Sequence, residues 1–373
     1  MNSCFILAGE KSGEEHALTF FPQLINSCPT THFFGVGGDE LKNAGVELLY
    51  HFKDFSSMGF SEVISKVPFY FKALKTLENE ILKRETKVAI LIDFQDFNLR
   101  LAKNLKKRGV KVLYYVAPQA WAWKEWRAKE ISTSTHTLFT ILPFEKKWFK
   151  DRGVEQVVSI PHPLILRFGE DLKQIAPTNF KSWTPKIKIL ILPGSRSFEV
   201  RELLPIFTSA LKLLKKEFKI EAHLVKVEHL ESKLYDTFIS EYDYVYESHE
   251  INQVMKECHF ALAASGTVTL ATALFELPTV VCYRASLLNE FIFNNFIKYK
   301  GPISLTNIIS EQNIFPELTQ EEVTPTKICR LLKNWLECEL QYNKTKVALK
   351  KLKSLLKGDE ISVPEYIARV INE

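Results

Sequence analysis

A chain of 373 residues is longer than a single hydrophobic core usually serves and favours two domains. Its 46% hydrophobic and 25% charged residues are those of an ordinary globular protein and exclude a disordered or low-complexity chain. A formal net charge of +5 is too small to argue for a nucleic-acid partner, and six cysteines with no CxxC pair and no His/Cys spacing argue against a zinc site and fit a reducing cytosol.

Residues 4–10 (CFILAGE) read as a first buried strand; the run is short and has no basic leader. No apolar stretch is long enough to span a bilayer. A helix is expected from about Gly13 to Leu24, then a strand and glycine turn at 31–38 and a short helix ending at Gly45. Residues 67–85 read as a helix. KVAILID (87–93) is apolar on both faces, as in a parallel sheet. A helix over 97–109, stopped by Gly109, and a strand over 110–118 follow. This βα alternation predicts an α/β fold with a doubly wound sheet.

Residues 160–185 hold four of the sixteen prolines and no clear strand. The linker is placed at 164–185, between a first domain at 1–163 and a second at 186–358. The second repeats the pattern: strands at 186–192, 221–227, 244–248, 260–265 and 279–284, a helix from Phe198 to about Phe218, and helical sequence over 324–358. A last helix within 360–373 is expected to pack back on the first domain. Two Rossmann-like domains of this kind carry ligands at strand C-termini, which would face each other across a cleft and suit a two-substrate enzyme.

Several turns can carry chemistry. LPGSR places Gly194, Ser195 and Arg196 at a strand end before a helix, where backbone N–H groups and a guanidinium can meet a diphosphate; a plain βα turn explains the same residues. Ser265, Gly266 and Thr267 make a second such turn, for which capping alone is the simpler reading. AGEKSGE offers Glu10 and Ser12 to polar groups of an acceptor, or serves as turn and cap. It is not GxGxxG, so a dinucleotide is poorly supported. GVGGDEL (35–41) allows close backbone approach by a ligand, or is simply a tight turn. In APQAWAWKEWR, Trp121 and Trp123 can line a cleft with Lys124 and Arg127 on its rim, although most tryptophans are core. Residues 55–74 combine Met58, Phe60, Val67, Phe69, Tyr70 and Phe71 with Lys66 and Lys72, and Lys75 follows. That is either a basic amphipathic surface for acyl chains and membrane or a core helix with snorkelling lysines.

Two aspartates bracket the end of the most apolar strand. Asp93 stands at its C-terminus, where parallel sheets place ligands and where partial desolvation would make it a better base. Asp96 is expected to cap a helix starting near Phe97.

In order, the blocks AGEKSGE, GVGGDEL, MGFSEV, IDFQDFNLRLAKNLKKRGVK, YYVAPQAWAWKEWR, LPFEKKWF, PHPL, LPGSRSFEV, AASGTVTL and SLTNII resemble those of the lipid-A-disaccharide synthase family, from Ala8 to about Asn307. The resemblance implies a GT-B glycosyltransferase, inverting and without a metal or other cofactor. It implies UDP-2,3-diacylglucosamine as donor and 2,3-diacylglucosamine 1-phosphate (lipid X) as acceptor, joined β(1→6) with release of UDP. It further implies peripheral work on the cytoplasmic face of the inner membrane, no nucleic-acid partner, and a homodimer through the second domain. Asp93, Glu10, Ser12, Arg196 and Asn307 fall to catalysis; Gly194, Ser195, Arg196, Ser265, Gly266 and Thr267 to UDP; Trp121, Trp123, Lys124 and Arg127 to the acceptor cleft. Four positions depart from the family pattern. Glu14 replaces Asp, Pro161 replaces Gly, Thr306 replaces Pro, and Ala271 stands where a glutamate is expected to hold ribose hydroxyls. Glu276, five residues on, lies about 140° further round a helix and does not replace it directly.

Overall fold

The computed structural model describes residues 2–55, 60–175, 178–183, 185–285, 301–359 and 361–373, and for residues 60–65 and 123 the backbone only. The chain divides into two compact units, Met1–Arg167 with Leu356–Glu373, and Phe168–Leu355.

The first unit holds a seven-stranded sheet of β1 (Ser3–Ala8), β2 (His32–Gly37), β3 (Glu47–His51), β4 (Val88–Ile92), β5 (Lys111–Tyr115), β6 (Thr137–Thr140) and β7 (Val157–Ser159). The order is β3-β2-β1-β4-β5-β6-β7, and every neighbouring pair is parallel. All five residues of β4 are buried, because helices cover both sheet faces. The chain winds one way from β1 to β3 and the other from β4 onward. The crevice of the sheet therefore opens beyond the C-termini of β1 and β4, where Ala8 pairs with Ile92.

One sheet face packs the helix Phe60–Lys83 through Ala73, Leu77 and Ile81, and the helix Gln95–Lys107 through Leu101, Ala102 and Leu105. The other packs Phe20, Phe21 and Leu24 together with Val363, Ile367, Ala368 and Val370 of the helix Val363–Asn372. Residues 356–359 return along β7: the His162 N–H donates to Leu356 O (2.9 Å) and the Asp359 N–H to Ser159 O (2.9 Å).

The second unit holds β8 (Ile187–Leu192), β9 (Ile220–Lys226), β10 (Tyr244–Glu247), β11 (Phe260–Ala264), β12 (Thr279–Tyr283) and β13 (Glu317–Thr319), ordered β10-β9-β8-β11-β12-β13 and parallel throughout. Its switch point lies between β8 and β11, where Leu192 pairs with Ala263. Within the stretch read as linker, Phe168 packs edge-on against Phe275, and Trp183 is buried in the core beside Phe260 and Tyr342. The helices Pro163–Arg167 and Gly169–Lys173 occupy part of that stretch.

The expected single helix over 13–24 is two, Lys11–Leu18 and Phe21–Ser27, the second with Pro22 in its first turn. The strands β3, β6, β7 and β13 were not read from the sequence; they are three to five residues long and too short to show a period.

Candidate active site

Asp93 immediately follows β4 and Glu10 follows β1 two residues beyond Ala8, so both acids stand at the switch point of the first sheet. Asp93 (φ 46°) and Phe94 (φ 45°) are both left-handed, an uncommon conformation for residues with a Cβ. That double turn aims the chain out of the strand and into the helix Gln95–Lys107. Gly9 makes room for it: a Cβ there would lie 2.5 Å from Phe94 Cδ1. Burial, and after it the charge of Glu10, lifts the Asp93 carboxyl to about 6, while a hydrogen bond from the Phe94 N–H opposes the rise. A carboxylate of that basicity is ionised at neutral pH and accepts a proton more readily than an ordinary aspartate.

Glu10 and Asp93 share a cavity of about 710 Å³ with Val67, Tyr70, Phe71, Leu74, Phe97 and Arg100. One wall is thus the helix Phe60–Lys83, whose Val67 and Phe71 are exposed while Phe69 packs inward on Phe55 at 5.3 Å. The Tyr70 hydroxyl donates to Phe55 O (2.7 Å). The amphipathic stretch therefore splits: Phe69 is core, and Val67 and Phe71 are cavity wall. Met58 and the side chain of Phe60 lie outside the described residues. Ser12 is exposed in the first turn of the helix Lys11–Leu18. Glu14 is buried and accepts the N–H groups of Gly38 (2.8 Å) and Leu41 (3.0 Å), so GVGGDEL is held by the helix after β1.

Two expectations in this unit are corrected. Asp96 is not an N-cap; the helix begins at Gln95, and the exposed Asp96 carboxylate pairs with the Arg127 guanidinium. Arg127 is not on a rim. Its side chain is buried, it donates to Gln95 Oε1 (2.6 Å), and it ties the helix Arg127–Ser134 to the start of Gln95–Lys107. Trp121 is half-buried and donates from Nε1 to Glu145 Oε1 (3.0 Å), with Phe144 edge-on at 5.1 Å. Glu145, which sequence reasoning missed, is itself buried and also accepts the Leu142 N–H (3.1 Å); burial raises its carboxyl to about 7. Lys124 is half-buried, and the Trp123 side chain lies outside the described residues.

In the second unit the two glycine turns are neighbours, because β8 and β11 pair directly. They differ in occupancy. At Gly194 (φ 126°) the N–H groups of Ser195 (2.9 Å) and Arg196 (3.3 Å) already donate to Glu199 Oε2, and the exposed Arg196 side chain pairs with Glu199 Oε1 (3.0 Å). A carboxylate of the chain itself thus holds that turn. At the second turn the N–H groups of Gly266, Thr267 and Val268 have no partner among the described residues, and Gly266 and Thr267 are exposed. The helix Thr267–Leu274 presents this open N-terminus to solvent.

Asn307 is corrected as well. It is buried, and its amide is fully used: Nδ2 donates to Phe315 O (2.8 Å) and Glu317 Oε1 (2.7 Å), and Oδ1 accepts the Phe315 N–H (2.9 Å). Glu317 also takes the N–H groups of Ile303 (2.8 Å) and Ser304 (3.0 Å). Ser265 Oγ then donates to Ile303 O (3.2 Å), and Thr306 Oγ1 to Thr269 O (3.0 Å). Asn307 is a strut behind the open turn, with its amide engaged inside the protein. Ala271 is buried in the helix that follows that turn. Glu276 is engaged elsewhere, with the Lys346 ammonium at 3.3 Å.

The described fold is shared with solved structures. It is similar to S. aureus MnaA, solved with UDP, at a TM-score of 0.63 and 12% identity over 100% of this chain and 96% of that one. It is similar to the calicheamicin glycosyltransferase at a TM-score of 0.59 and 11% identity over 100% and 97%. Two parallel-sheet α/β units with these likenesses make this a GT-B protein. The family model described as lipid-A-disaccharide synthetase matches residues 4–371, and the lipid-A-disaccharide synthase of Geobacter metallireducens is 30% identical over 375 residues, 99% of this chain and 96% of that one. The chain belongs to the lipid-A-disaccharide synthetase family and is a glycosyltransferase of lipid A biosynthesis.

Proposed function

We propose that the chain transfers 2,3-diacylglucosamine from UDP-2,3-diacylglucosamine to the 6-hydroxyl of 2,3-diacylglucosamine 1-phosphate, with inversion, giving the β(1→6) disaccharide 1-phosphate and UDP. The observation that carries this is Asp93: a half-buried carboxylate lifted to about 6, set in the wall of a largely apolar cavity. Asp93 takes the proton of the acceptor 6-hydroxyl. The freed oxygen bonds to the anomeric carbon from the face opposite UDP, and the carbon–oxygen bond to UDP breaks with its electron pair on the diphosphate. One displacement inverts the α-linked donor to a β product.

The open N–H groups of Gly266, Thr267 and Val268 suit the charge that grows on the leaving diphosphate. Arg196, exposed and paired among the described residues with Glu199, can turn to the same anion. Val67, Phe71 and Leu74 suit an acyl chain, with Glu10 beside the sugar. Exposed Lys72 and Lys75 beside Phe71 suit anionic headgroups at the cytoplasmic face of the inner membrane. Among the described residues no helix is long and apolar enough to cross a membrane.

The test is turnover with defined acyl substrates. Wild type should release UDP and form disaccharide, and Asp93→Ala should not. Absence of disaccharide at any wild-type concentration rejects the reaction, and full activity in Asp93→Ala rejects the base.

A further inference from the structure

We infer that Asn98 and Tyr114 are positioning residues whose task is to hold Asp93 in its left-handed turn, so that its carboxylate stays in the cavity wall instead of turning out to water. The inference rests on the reading of Asp93 as the base.

Four hydrogen bonds converge on the backbone at this point. The Asp93 N–H donates to Tyr115 O (2.9 Å), which continues the β4–β5 ladder one residue beyond the strand. The Tyr114 hydroxyl donates to Asp93 O (2.9 Å). Asn98 Nδ2 donates to both Ile92 O (3.1 Å) and Asp93 O (2.8 Å). Asn98 and Tyr114 are both fully buried, so water does not substitute for either. Both N–H groups of the Asn98 amide are spent on these carbonyls, and its Oδ1 has no partner among the described residues, which makes these two bonds the purpose of the side chain.

The grip has a reason. Left-handed backbone at two successive non-glycine residues persists only where the surroundings over-determine it. A third such residue, Val116 (φ 66°), follows β5 beside this turn; for a β-branched side chain it is a rarer conformation still. Strain is thus concentrated where β4 and β5 end. If the two side-chain donors are removed, the turn can relax toward ordinary φ and carry the carboxylate out of the wall.

Among the described residues, the charged and titratable groups around Asp93 are Glu10 after β1, Tyr114 on β5, Tyr70 and Arg100 in the shared cavity, and the Asp96–Arg127 pair, which Tyr114 also senses. None of them is altered in charge at neutral pH by Tyr114→Phe.

The experiment uses the full chain and compares Tyr114→Phe, Asn98→Ala and Asp93→Asn across pH with defined donor and acceptor. Tyr114→Phe keeps the buried ring and removes one hydroxyl, so it carries the test even where Asn98→Ala folds poorly. The expected result is a kcat lowered at least roughly tenfold with KM for both substrates within about threefold, since misplacement of a reacting group by about 1 Å can cost a hundredfold. The acid limb of kcat should also move from near pH 6 toward the ordinary aspartate range, as the released carboxylate gains water. Wild-type kcat and acid limb in Tyr114→Phe overturn the inference. So does a lower kcat with the limb still near pH 6, which marks general loosening. Inactivity of Asp93→Asn beside a normal Tyr114→Phe defeats this inference alone; activity in Asp93→Asn defeats the base assignment and this inference with it.

Discussion

The exposed carboxylate of Asp96, three residues beyond Asp93 and lining the same cavity, closes on the buried guanidinium of Arg127. The two aspartates of the block IDFQD therefore have different duties. Asp96→Asn removes the negative charge facing a buried cation and should lower stability by about 1–3 kcal/mol, with kcat kept within a few-fold. Asp93→Asn should cost no stability and lower kcat by roughly a hundredfold or more, the range for loss of a general base. Thermal melts and steady-state rates on both variants check the asymmetry.

The Asp93 carboxyl at about 6 sets a pH profile. As a base it must be deprotonated, so kcat should rise through pH 6 and level above it. The stability sign is opposite. A carboxyl whose folded pKa lies above its unfolded value near 4 binds more protons when folded, so stability is lost as pH rises from about 4 to about 6. Asp93→Asn lacks this loss and should melt at or above wild type at pH 8, by up to roughly 3 kcal/mol. A lower melting point at pH 8 contradicts it.

Phe71 is exposed at 58% and lines the cavity with Asp93. Phe71→Glu should raise KM for a diacylated acceptor about tenfold or more, since burial of such a side chain against an acyl chain contributes about 1.5–3 kcal/mol. Sedimentation with anionic vesicles should fall in parallel, while melting stays unchanged.

Ala271 stands where a ribose-holding carboxylate is expected, and Glu276 is engaged with Lys346. A site without that acceptor has no buried group to leave unpaired when the hydroxyls are missing. Donors carrying 2′,3′-dideoxyuridine should therefore be used within about fivefold of the normal donor, whereas sites that bind a hydroxyl reject its absence far more strongly. Introducing the acid as Ala271→Glu and repeating the comparison gives the control.

Gly194 adopts φ 126°, and a Cβ there would lie 2.5 Å from Glu199 Oε2. Gly194→Ala should displace the turn that carries Ser195 and Arg196 and raise donor KM about tenfold or more, with acceptor KM unchanged. Initial rates with each substrate varied in turn measure this.

The long buried strands were legible from their residues, because β1, β4, β8 and β11 are apolar runs bounded by turn residues. The position of Asp93 followed from strand end and sheet type. What was not legible depended on partners distant in sequence. Arg127 looked like a cleft cation because nothing local shows Asp96 reaching it from thirty-one residues away. Asn307 is assigned through the resemblance of SLTNII alone, and nothing local tells a buried amide from an exposed one. Its partners, Phe315 and Glu317, meet it only once the loop closes. Glu199 lay within the quoted block, but that its carboxylate fills the first turn needed the left-handed Gly194 to be seen.

The helix Val363–Asn372 completes the face of the first sheet on which Phe20, Phe21 and Leu24 lie. On the ribosome, Ile367 emerges only after the whole of Phe168–Leu355 has been made. At synthesis rates of about 5–20 residues per second, that face waits roughly ten to forty seconds for its cover. A nascent chain of this protein thus exposes one defined apolar surface until its last helix is made. A messenger that stops before residue 363 yields a polypeptide whose second half can finish while its first half stays sticky.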